Sequence, residues 1–389
     1  MSLRSILTTT LLMATTASAA RTLFVGSGKG TIKSYEFDET ANAQGLVKEL
    51  ASTSESSPAP TWQTIFGDLL YSVSESGVPA EGVVTAYQIG SNRKLIKKGS
   101  AKGVAGPVSI AVGKDGKLVI SASYAGGGVD MFAADGYGGL THSQNFTYTL
   151  NKPGRVPDRQ EGPHPHQAIM DPTGEYVIVP DLGADRVRVY NAKSSTTIKE
   201  LESIKTPDGF GPRHAVFYPV GNAKPTHLFV VGELSNSIIT FKISCAGGQL
   251  KAKEIATIST FGTQSVPTGP PAPIAAEIAL SPDGKYLYVS NRGDKTQAGG
   301  TQDSIATFSV ASDAKLAFMQ LTPSGGLSPR HFSITRDGNW VAIANDGSGN
   351  FAIFRRYPEN GTISSLPTIS TVNDGSACAI WYEPKVEYS

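Results

Sequence analysis

The chain has 389 residues, of which 34 are Lys or Arg and 33 are Asp or Glu, so its net charge is close to zero. A chain without a basic or acidic excess is not expected to bind nucleic acid or an anionic membrane surface. The 42 glycines, 24 prolines and charged fraction of only 17 % favour many short strands joined by tight turns, and they argue against an architecture of long helices.

The first predicted element is a leader. Arg4 precedes an apolar run over residues 6–16, and Ala17-Ser18-Ala19 has the small-residue pattern of a signal-peptidase site. This run is too short to span a bilayer, and no later segment does. We therefore expect residues 1–19 to be removed as a signal peptide and residues 20–389 to form one extracellular domain, secreted freely or held at the cell wall.

Sequons and cysteines bear on processing and assembly. Asn145 and Asn360 each begin an Asn-x-Thr sequon, which marks them as candidate glycosylation sites of an exported protein. The two cysteines, Cys245 and Cys378, fall in distant repeats, so we expect two free thiols. Because no Cys and His cluster has zinc spacing, we expect neither a metal nor a cofactor, and we expect a monomer.

A repeat governs the rest of the chain: an apolar stretch, a glycine turn, a second apolar stretch, a polar turn, and a third stretch that ends in an aromatic residue. Copies begin near Trp62, Val108, His166, Arg213, Ala276 and Arg330. Their first turns are Gly67-Asp68, Asp115-Gly116, Thr173-Gly174, Gly221-Asn222, Asp283-Gly284 and Asp337-Gly338. Each turn offers a residue suited to positive φ, as a tight hairpin requires. The repeat length of roughly 45 to 60 residues is typical of propeller blades.

A seventh copy is split between the two ends of the chain. Residues 22–25, 31–37 and 46–51 supply three strands, and residues 377–381 can supply the missing innermost one. Such a swap closes the ring and removes two exposed sheet edges. We therefore predict an all-β, seven-bladed β-propeller of four-stranded blades. The alternative, a sandwich or two sequential barrels, does not explain the repeated strand order.

Topology then brings two sets of residues to one mouth of the channel. Because consecutive strands alternate in direction, the start of each innermost strand lies beside the turn that follows the second strand. These sets are Pro165-His166, Pro212-Arg213-His214, Ala276-Glu277 and Pro329-Arg330-His331, and Tyr124, Asp181, Glu233, Asn291-Arg292 and Asn345-Asp346. Charged groups in a narrow channel must pair or meet a ligand. Mutual pairing through bridging waters and a binding site both satisfy this condition.

Seven motifs in register carry a family resemblance. They are Gly162-Pro-His-Pro-His-Gln167, Val179-Pro-Asp-Leu-Gly-Ala-Asp-Arg186, Gly211-Pro-Arg-His-Ala215, Gly232-Glu-Leu-Ser235, Ala275-Ala-Glu-Ile278, Ser290-Asn-Arg-Gly293 and Ser328-Pro-Arg-His331. The series resembles that of the seven-bladed lactonase family, which includes propeller-type 6-phosphogluconolactonases and fungal 3-carboxy-cis,cis-muconate cyclases.

The resemblance implies a metal-independent site made of His166, Arg213, Glu233 and Arg292, with His164 as a substitute for His166. Lactone opening needs an activated water, a stabilised oxyanion and a proton for the leaving alkoxide. A histidine can be the base, and the fork of an arginine suits a carboxylate, a phosphate or the oxyanion. A glutamate among arginines is expected to stay ionised and to orient rather than donate protons.

Other residues of the mouth receive weaker assignments. The candidate substrate-binding residues are His164, Glu277, Arg330 and Asn345. His164, flanked by prolines, also fits a role in bracing its loop. His214 and His331 follow arginines along a strand, so strand alternation predicts that they point away from the channel and are structural.

Three functions remain open from the sequence. The first is hydrolysis of a small anionic lactone, and the second is the reverse sense of the same chemistry, ring closure of a carboxymuconate-like acid. The third is a non-catalytic secreted or cell-wall glycoprotein that binds a ligand. The family's metabolites are intracellular whereas the leader predicts export, so the fold and motifs leave the substrate undetermined.

Overall fold

A computed structural model describes residues 20–384, apart from 43–45, 55–58, 76, 78–79, 194–196, 223 and 269–271. The expected signal peptide, residues 1–19, lies outside this part. No helix in the described ranges is long and apolar enough to cross a membrane. What they contain is seven antiparallel sheets and one short 3-10 turn at Ala298–Gly300.

The sheets are the predicted blades, and their strands follow one another along the chain. Blades 1 and 2 contain β1 (Arg21–Ser27), β2 (Thr31–Phe37) and β3 (Val47–Ser54), then β4 (Gln63–Phe66), β5 (Leu69–Ser74), β6 (Gly82–Ile89) and β7 (Leu95–Gly103). Blades 3 and 4 contain β8 (Pro107–Val112), β9 (Leu118–Ser123), β10 (Gly128–Ala134) and β11 (Leu140–Thr147), then β12 (Ile169–Met170), β13 (Tyr176–Asp181), β14 (Arg186–Asn191), β15 (Lys199–Glu200) and β16 (Ile204–Lys205).

The second half of the ring repeats this order. Blades 5 and 6 contain β17 (Pro212–Tyr218), β18 (His227–Gly232), β19 (Ser237–Ala246) and β20 (Gln249–Ser259), then β21 (Ile274–Leu280), β22 (Tyr286–Arg292), β23 (Ser304–Val310) and β24 (Leu316–Pro323). Blade 7 contains β25 (Pro329–Ile334), β26 (Trp340–Asn345), β27 (Asn350–Arg355) and β28 (Ile369–Val372), and the chain ends on β29 (Ser376–Tyr382).

The C-terminal strand closes the ring as predicted. β29 pairs antiparallel with β1, with Leu23 opposite Trp381, and so becomes the innermost strand of blade 1. It contacts β4 on one side and β25 on the other. The two ends of the chain thus meet in one sheet, and neither strand leaves an exposed edge.

The hairpin turns between the first and second strands of blades 2 to 7 have the geometry that their sequences predicted. The φ angles are 58° at Gly67, 71° at Gly116, 79° at Gly174, 70° at Gly221, 69° at Gly284 and 74° at Gly338. Residues with a side chain rarely adopt this left-handed backbone region, so glycine is the favoured residue there.

The apolar core lies between blades and leaves the channel polar. Each apolar cluster draws side chains from two adjacent blades, as Val187 of blade 4 and Phe217 of blade 5 show. Cys245 on β19 and Cys378 on β29 are both free thiols, which confirms that expectation. Since stability comes from the inter-blade layers, the strand ends at the channel mouth are free to carry polar side chains.

Candidate active site

The starts of the innermost strands and the turns after the second strands share one mouth, as the topology predicted. The Glu233 N–H donates to the Gly211 carbonyl at 2.8 Å, and the His166 N–H donates to the Pro180 carbonyl at 2.8 Å. These backbone bonds fix the two sets of side chains beside one another in neighbouring blades.

Glu233 is the centre of an arginine cluster. Its Oε2 lies 2.9 Å from Arg213 Nε and 2.8 Å from Arg292 Nη2, and its Oε1 accepts from Arg159 Nη2. The carboxylate is 1 % exposed. Burial alone would raise the pKa of Glu233, but the three guanidinium groups overcome that effect and lower it to about 2. The carboxylate is therefore ionised, as the sequence reasoning expected.

The cluster carries more positive than negative charge. Burial and the neighbouring charge of Arg292 lower the pKa of Arg213 to about 9. Arg213 Nε and Arg292 Nε and Nη2 are buried and have no hydrogen-bond partner among the described residues, although they stand within ion-pair distance of Glu233. The distances give Coulomb attraction while the N–H groups are not aimed at the carboxylate. A ligand oxygen must therefore compete with Glu233 for these buried donors.

Arg159 is a member of the arginine cluster that the sequence reasoning missed. It lies on the loop between β11 and β12, and besides Glu233 it approaches the Tyr124 hydroxyl at 3.4 Å. Because Tyr124 and Glu233 follow strands of blades 3 and 5, the arginine crosses the mouth between non-adjacent blades. The mouth is consequently not an open cleft. A separate cleft of about 380 Å³ is lined by Arg155, Phe210 and neighbouring residues.

A buried chain of histidines lies against the arginines. His166 Nδ1 is 3.2 Å from His214 Nε2, and His214 Nδ1 is 2.9 Å from Glu277 Oε1. The second Glu277 oxygen is 3.8 Å from His331 Nε2. All four residues are less than 8 % exposed. Glu277, predicted to bind substrate, is thus in contact with histidines behind the mouth.

The prediction that His214 and His331 point away from the channel was wrong. The pairing register shifts between Pro212 and His214 in β17, and between Pro329 and His331 in β25. At such a bulge two consecutive residues face the same side, so alternation fails. Arg213 Nη1 accordingly lies 3.3 Å from His214 Nε2. The bulges bring an arginine and a histidine into the channel from one strand start.

The remaining predicted residues lie at the edge of this cluster. Arg330 Nη2 donates to Glu75 Oε2 at 2.6 Å, and Asn345 is fully buried with its Nδ2 donating to the Ser324 carbonyl. The structure therefore brings together His166, Arg213, Glu233 and Arg292, with Glu277 behind them, and holds Asn345 in a backbone contact.

His164 is engaged on both ring nitrogens. Nδ1 lies 2.9 Å from the Tyr124 carbonyl and Nε2 lies 2.9 Å from Glu161 Oε1, while the ring stacks on Tyr124 at 4.1 Å. This arrangement fits loop bracing and leaves His166 as the better placed base. Within the described part of the chain, no group of three or more His, Cys, Asp or Glu residues could hold a metal ion.

Comparison with known proteins identifies the family. The model of the family described as "Lactonase, 7-bladed beta-propeller" matches residues 12–380. The chain belongs to this lactonase family. A protein of Arthroderma benhamiae named "Probable 6-phosphogluconolactonase" is 35 % identical over 362 residues, which cover 92 % of this chain and 88 % of that one. The 6-phosphogluconolactonase of Bacillus subtilis is 28 % identical over 90 % of this chain and 94 % of its own.

Solved structures agree with this assignment. The periplasmic gluconolactonase of Pseudomonas aeruginosa has a TM-score of 0.80 and 25 % identity, over 94 % of this chain and all of that one. A putative 6-phosphogluconolactonase of Bacteroides fragilis has a TM-score of 0.79 and 25 % identity, over 95 % and 99 % of the two chains. The resemblance drawn from the motifs is confirmed, and so is the expectation that the chain is an enzyme of the lactonase type.

The histidines of this lactonase give it a predicted acid sensitivity. Burial and Arg213 lower the pKa of His166 and His214 far below the ordinary range, and burial lowers that of His331 to about 4. Such a group is neutral when folded and takes a proton on unfolding, so its stabilisation is present above pH 6.5 and is lost as the pH falls towards the folded pKa. For His331 the loss is at most about 3 kcal/mol. The raised pKa of Glu277 acts in the opposite sense and offsets part of it.

Urea unfolding at a series of pH values from 7 to 4 measures this effect. We expect the free energy of unfolding to fall with pH across the interval, and the fall to be smaller in His331→Gln. An unchanged slope in that variant would contradict the assignment of His331 as a buried neutral group.

Proposed function

We propose that the protein hydrolyses the ester bond of a small anionic lactone without a metal ion. The observation that carries the proposal is the convergence of Arg159, Arg213 and Arg292 on the single carboxylate of Glu233, beside His166. This surplus of positive charge over the one carboxylate favours an anionic substrate. The names of the relatives point to the same class, lactones of gluconate type with or without a phosphate.

The roles follow from position. His166 Nε2 has no hydrogen-bond partner among the described residues, so it can take a proton from a water whose oxygen attacks the lactone carbonyl carbon. Arg213 and Arg292 stabilise the oxyanion and bind the anionic group of the substrate. As the tetrahedral intermediate collapses, the ring C–O bond breaks and the alkoxide takes the proton from His166. Glu233 holds the guanidinium groups in place and stays ionised.

Hydrolysis of a lactone panel by the purified protein tests this function. In a pH-stat, acid release from at least one anionic lactone is expected, with the rate reduced by about 10² or more in His166→Ala. A chelator should leave the rate unchanged. Absence of turnover across the panel in a folded protein would contradict lactone hydrolysis, and activity abolished by a chelator would contradict metal independence.

We also propose that the enzyme is exported after removal of residues 1–19 and is glycosylated. The exposed positions of Asn145 and Asn360, and the periplasmic location of the Pseudomonas relative, support this proposal. N-terminal sequencing of the protein from the medium of an expressing fungal culture is expected to begin at Ala20. A shift in mobility after treatment with a glycosidase is expected, and a chain retained in the cell with Met1 intact would contradict export.

A further inference from the structure

We propose that Glu277 and His214 are positioning residues that hold His166 as the Nδ1–H tautomer, so that the Nε2 lone pair faces the mouth. The inference adds a hydrogen-bonded relay, Glu277–His214–His166, behind the proposed base. Its catalytic part rests on the proposed function. The tautomeric part stands on the hydrogen-bond geometry alone.

The direction of the relay is set by two backbone N–H groups. The Ala379 N–H donates to His331 Nδ1 at 3.3 Å, so a neutral His331 carries its proton on Nε2, which faces Glu277 Oε2. The Ile278 N–H donates to Glu277 Oε1 at 3.1 Å. The second oxygen, Oε2, has no hydrogen-bond partner among the described residues, and an ionised Glu277 can only accept from its neighbours.

The remaining steps follow by elimination. His214 Nδ1 is 2.9 Å from Glu277 Oε1 and must donate to it, which leaves Nε2 of the neutral ring as an acceptor. His166 Nδ1 is 3.2 Å from that Nε2, which Arg213 Nη1 also approaches at 3.3 Å, and because the Nε2 lone pair can only accept, we assign the His166 proton to Nδ1. The proton of His166 is thereby fixed on Nδ1. Nε2, the other nitrogen, is the one left to act as base.

Aromatic rings pack against the histidines of the relay, and arginine side chains place positive charge next to His166. The Trp62 ring meets His214 and His331 edge to face, with centroids 5.4 and 5.1 Å away, and the Tyr124 ring meets His166 at 5.6 Å. The charged groups that face His166 are the guanidinium groups of three arginines. These are Arg213, Arg292 and Arg330.

Those positive charges oppose protonation of the base. When Nε2 takes the proton of the attacking water, the imidazolium keeps its Nδ1–H bond to His214, and the carboxylate of Glu277 stabilises the charge through that ring. His214 and Glu277 thus act on the reaction only through His166.

Imidazole ¹⁵N NMR of the mature chain tests the tautomers without any substrate. With ¹⁵N-histidine at the six histidines, His166 is expected to show a protonated Nδ1 and a free Nε2 near neutral pH. In Glu277→Leu its signals should move towards the Nε2–H form. The matched control is Asp130→Asn, which removes the charge from a comparable contact of 2.9 Å to His142 outside this cluster and should alter His142 alone. A wild-type His166 in the Nε2–H form would overturn the proposal, whether or not any lactone is hydrolysed.

Kinetics with a lactone that the panel shows to be hydrolysed test the catalytic part. Glu277→Gln keeps an acceptor at the Oε1 position, because the Ile278 N–H favours the amide oxygen there, but it removes the charge. We expect kcat to fall about tenfold with KM nearly unchanged and the acidic limb of the pH–rate profile to shift, and a further loss to about 10²-fold in Glu277→Leu. Thermal unfolding monitors folding, and the isosteric glutamine variant keeps the test valid should the leucine variant not fold. A folded Glu277→Gln enzyme with wild-type kcat and pH profile would overturn the catalytic part, whereas an inactive wild type would instead overturn the proposed function.

Discussion

Replacement of Arg292 by alanine is expected to lower kcat/KM for the lactone substrate by about 10²- to 10³-fold, the effect of removing one preorganised oxyanion donor. The Arg292 side chain is 17 % exposed, and Coulomb attraction to Glu233 holds its Nη2 2.8 Å from the carboxylate. Its Nε and Nη2 nevertheless make no hydrogen bond to the described residues. A guanidinium held in this way needs little reorganisation to meet a developing oxyanion. The same range is expected for Arg213→Ala, and steady-state kinetics measures both.

Two further variants separate charge from geometry. Arg292→Lys keeps the charge but loses the planar fork, so we expect it to recover only part of the activity. Arg186 begins β14 at the same mouth and donates from Nε to the Ala184 carbonyl at 3.2 Å, outside the cluster. Arg186→Ala should leave kcat/KM within about twofold of wild type. Losses below about tenfold in both Arg213→Ala and Arg292→Ala would exclude these arginines from the site.

The fold could be predicted from the sequence because the turn residues of most blades fix the pairing register of their strands. A glycine with positive φ, such as Gly116 or Gly338, fixes the first turn of a blade and hence the alternation of both strands. The closing strand could be predicted as well, since three strands at the beginning and one at the end are complementary halves of one blade. Six local patterns and one split pattern leave few other topologies.

The sequence also predicted that His166, Arg213, Glu233 and Arg292 lie at one mouth of the channel. It could not predict the position of Arg159. This arginine lies on the loop between β11 and β12, and a loop outside the repeat has no periodicity from which its path can be read. The contact with Glu233 depends on how the loop folds over blades 3 and 5.

The histidines were misplaced for a different reason. Strand alternation assumes a regular ladder, and the bulges at Pro212 and Pro329 interrupt it at the residues that matter. A signal was available, because proline cannot donate to the ladder, and a Pro-Arg-His start occurs twice, at Pro212 and at Pro329. A proline followed by two polar residues at the start of an innermost strand therefore indicates that both face the channel.

Glu233→Gln is expected to destabilise the folded enzyme by about 3–5 kcal/mol at pH 7, the cost of leaving a buried charge without its partner. The glutamine has the shape of the glutamate, so packing changes little and the loss is electrostatic. Three guanidinium groups would then face one another around a neutral amide. Against a total stability of about 5–15 kcal/mol, this is a large fraction. Urea unfolding gives the difference, and Glu75→Gln, which removes the partner of Arg330 at a more exposed pair, should cost only about 1 kcal/mol.

The Glu233→Gln variant should also bind anions more tightly than wild type. In wild type the Glu233 carboxylate occupies the position where the guanidinium charges converge, so it competes with any anion for them. With glutamine there, inorganic phosphate should bind the folded state and raise the free energy of unfolding by more than it does in wild type, because only the folded chain assembles the three arginines. Phosphate that stabilises both proteins equally would mean that the arginines do not act as one site. A larger gain in Glu233→Gln would mean that Glu233 keeps the arginines assembled and limits how tightly they bind an anion, as a site that must release an acidic product requires.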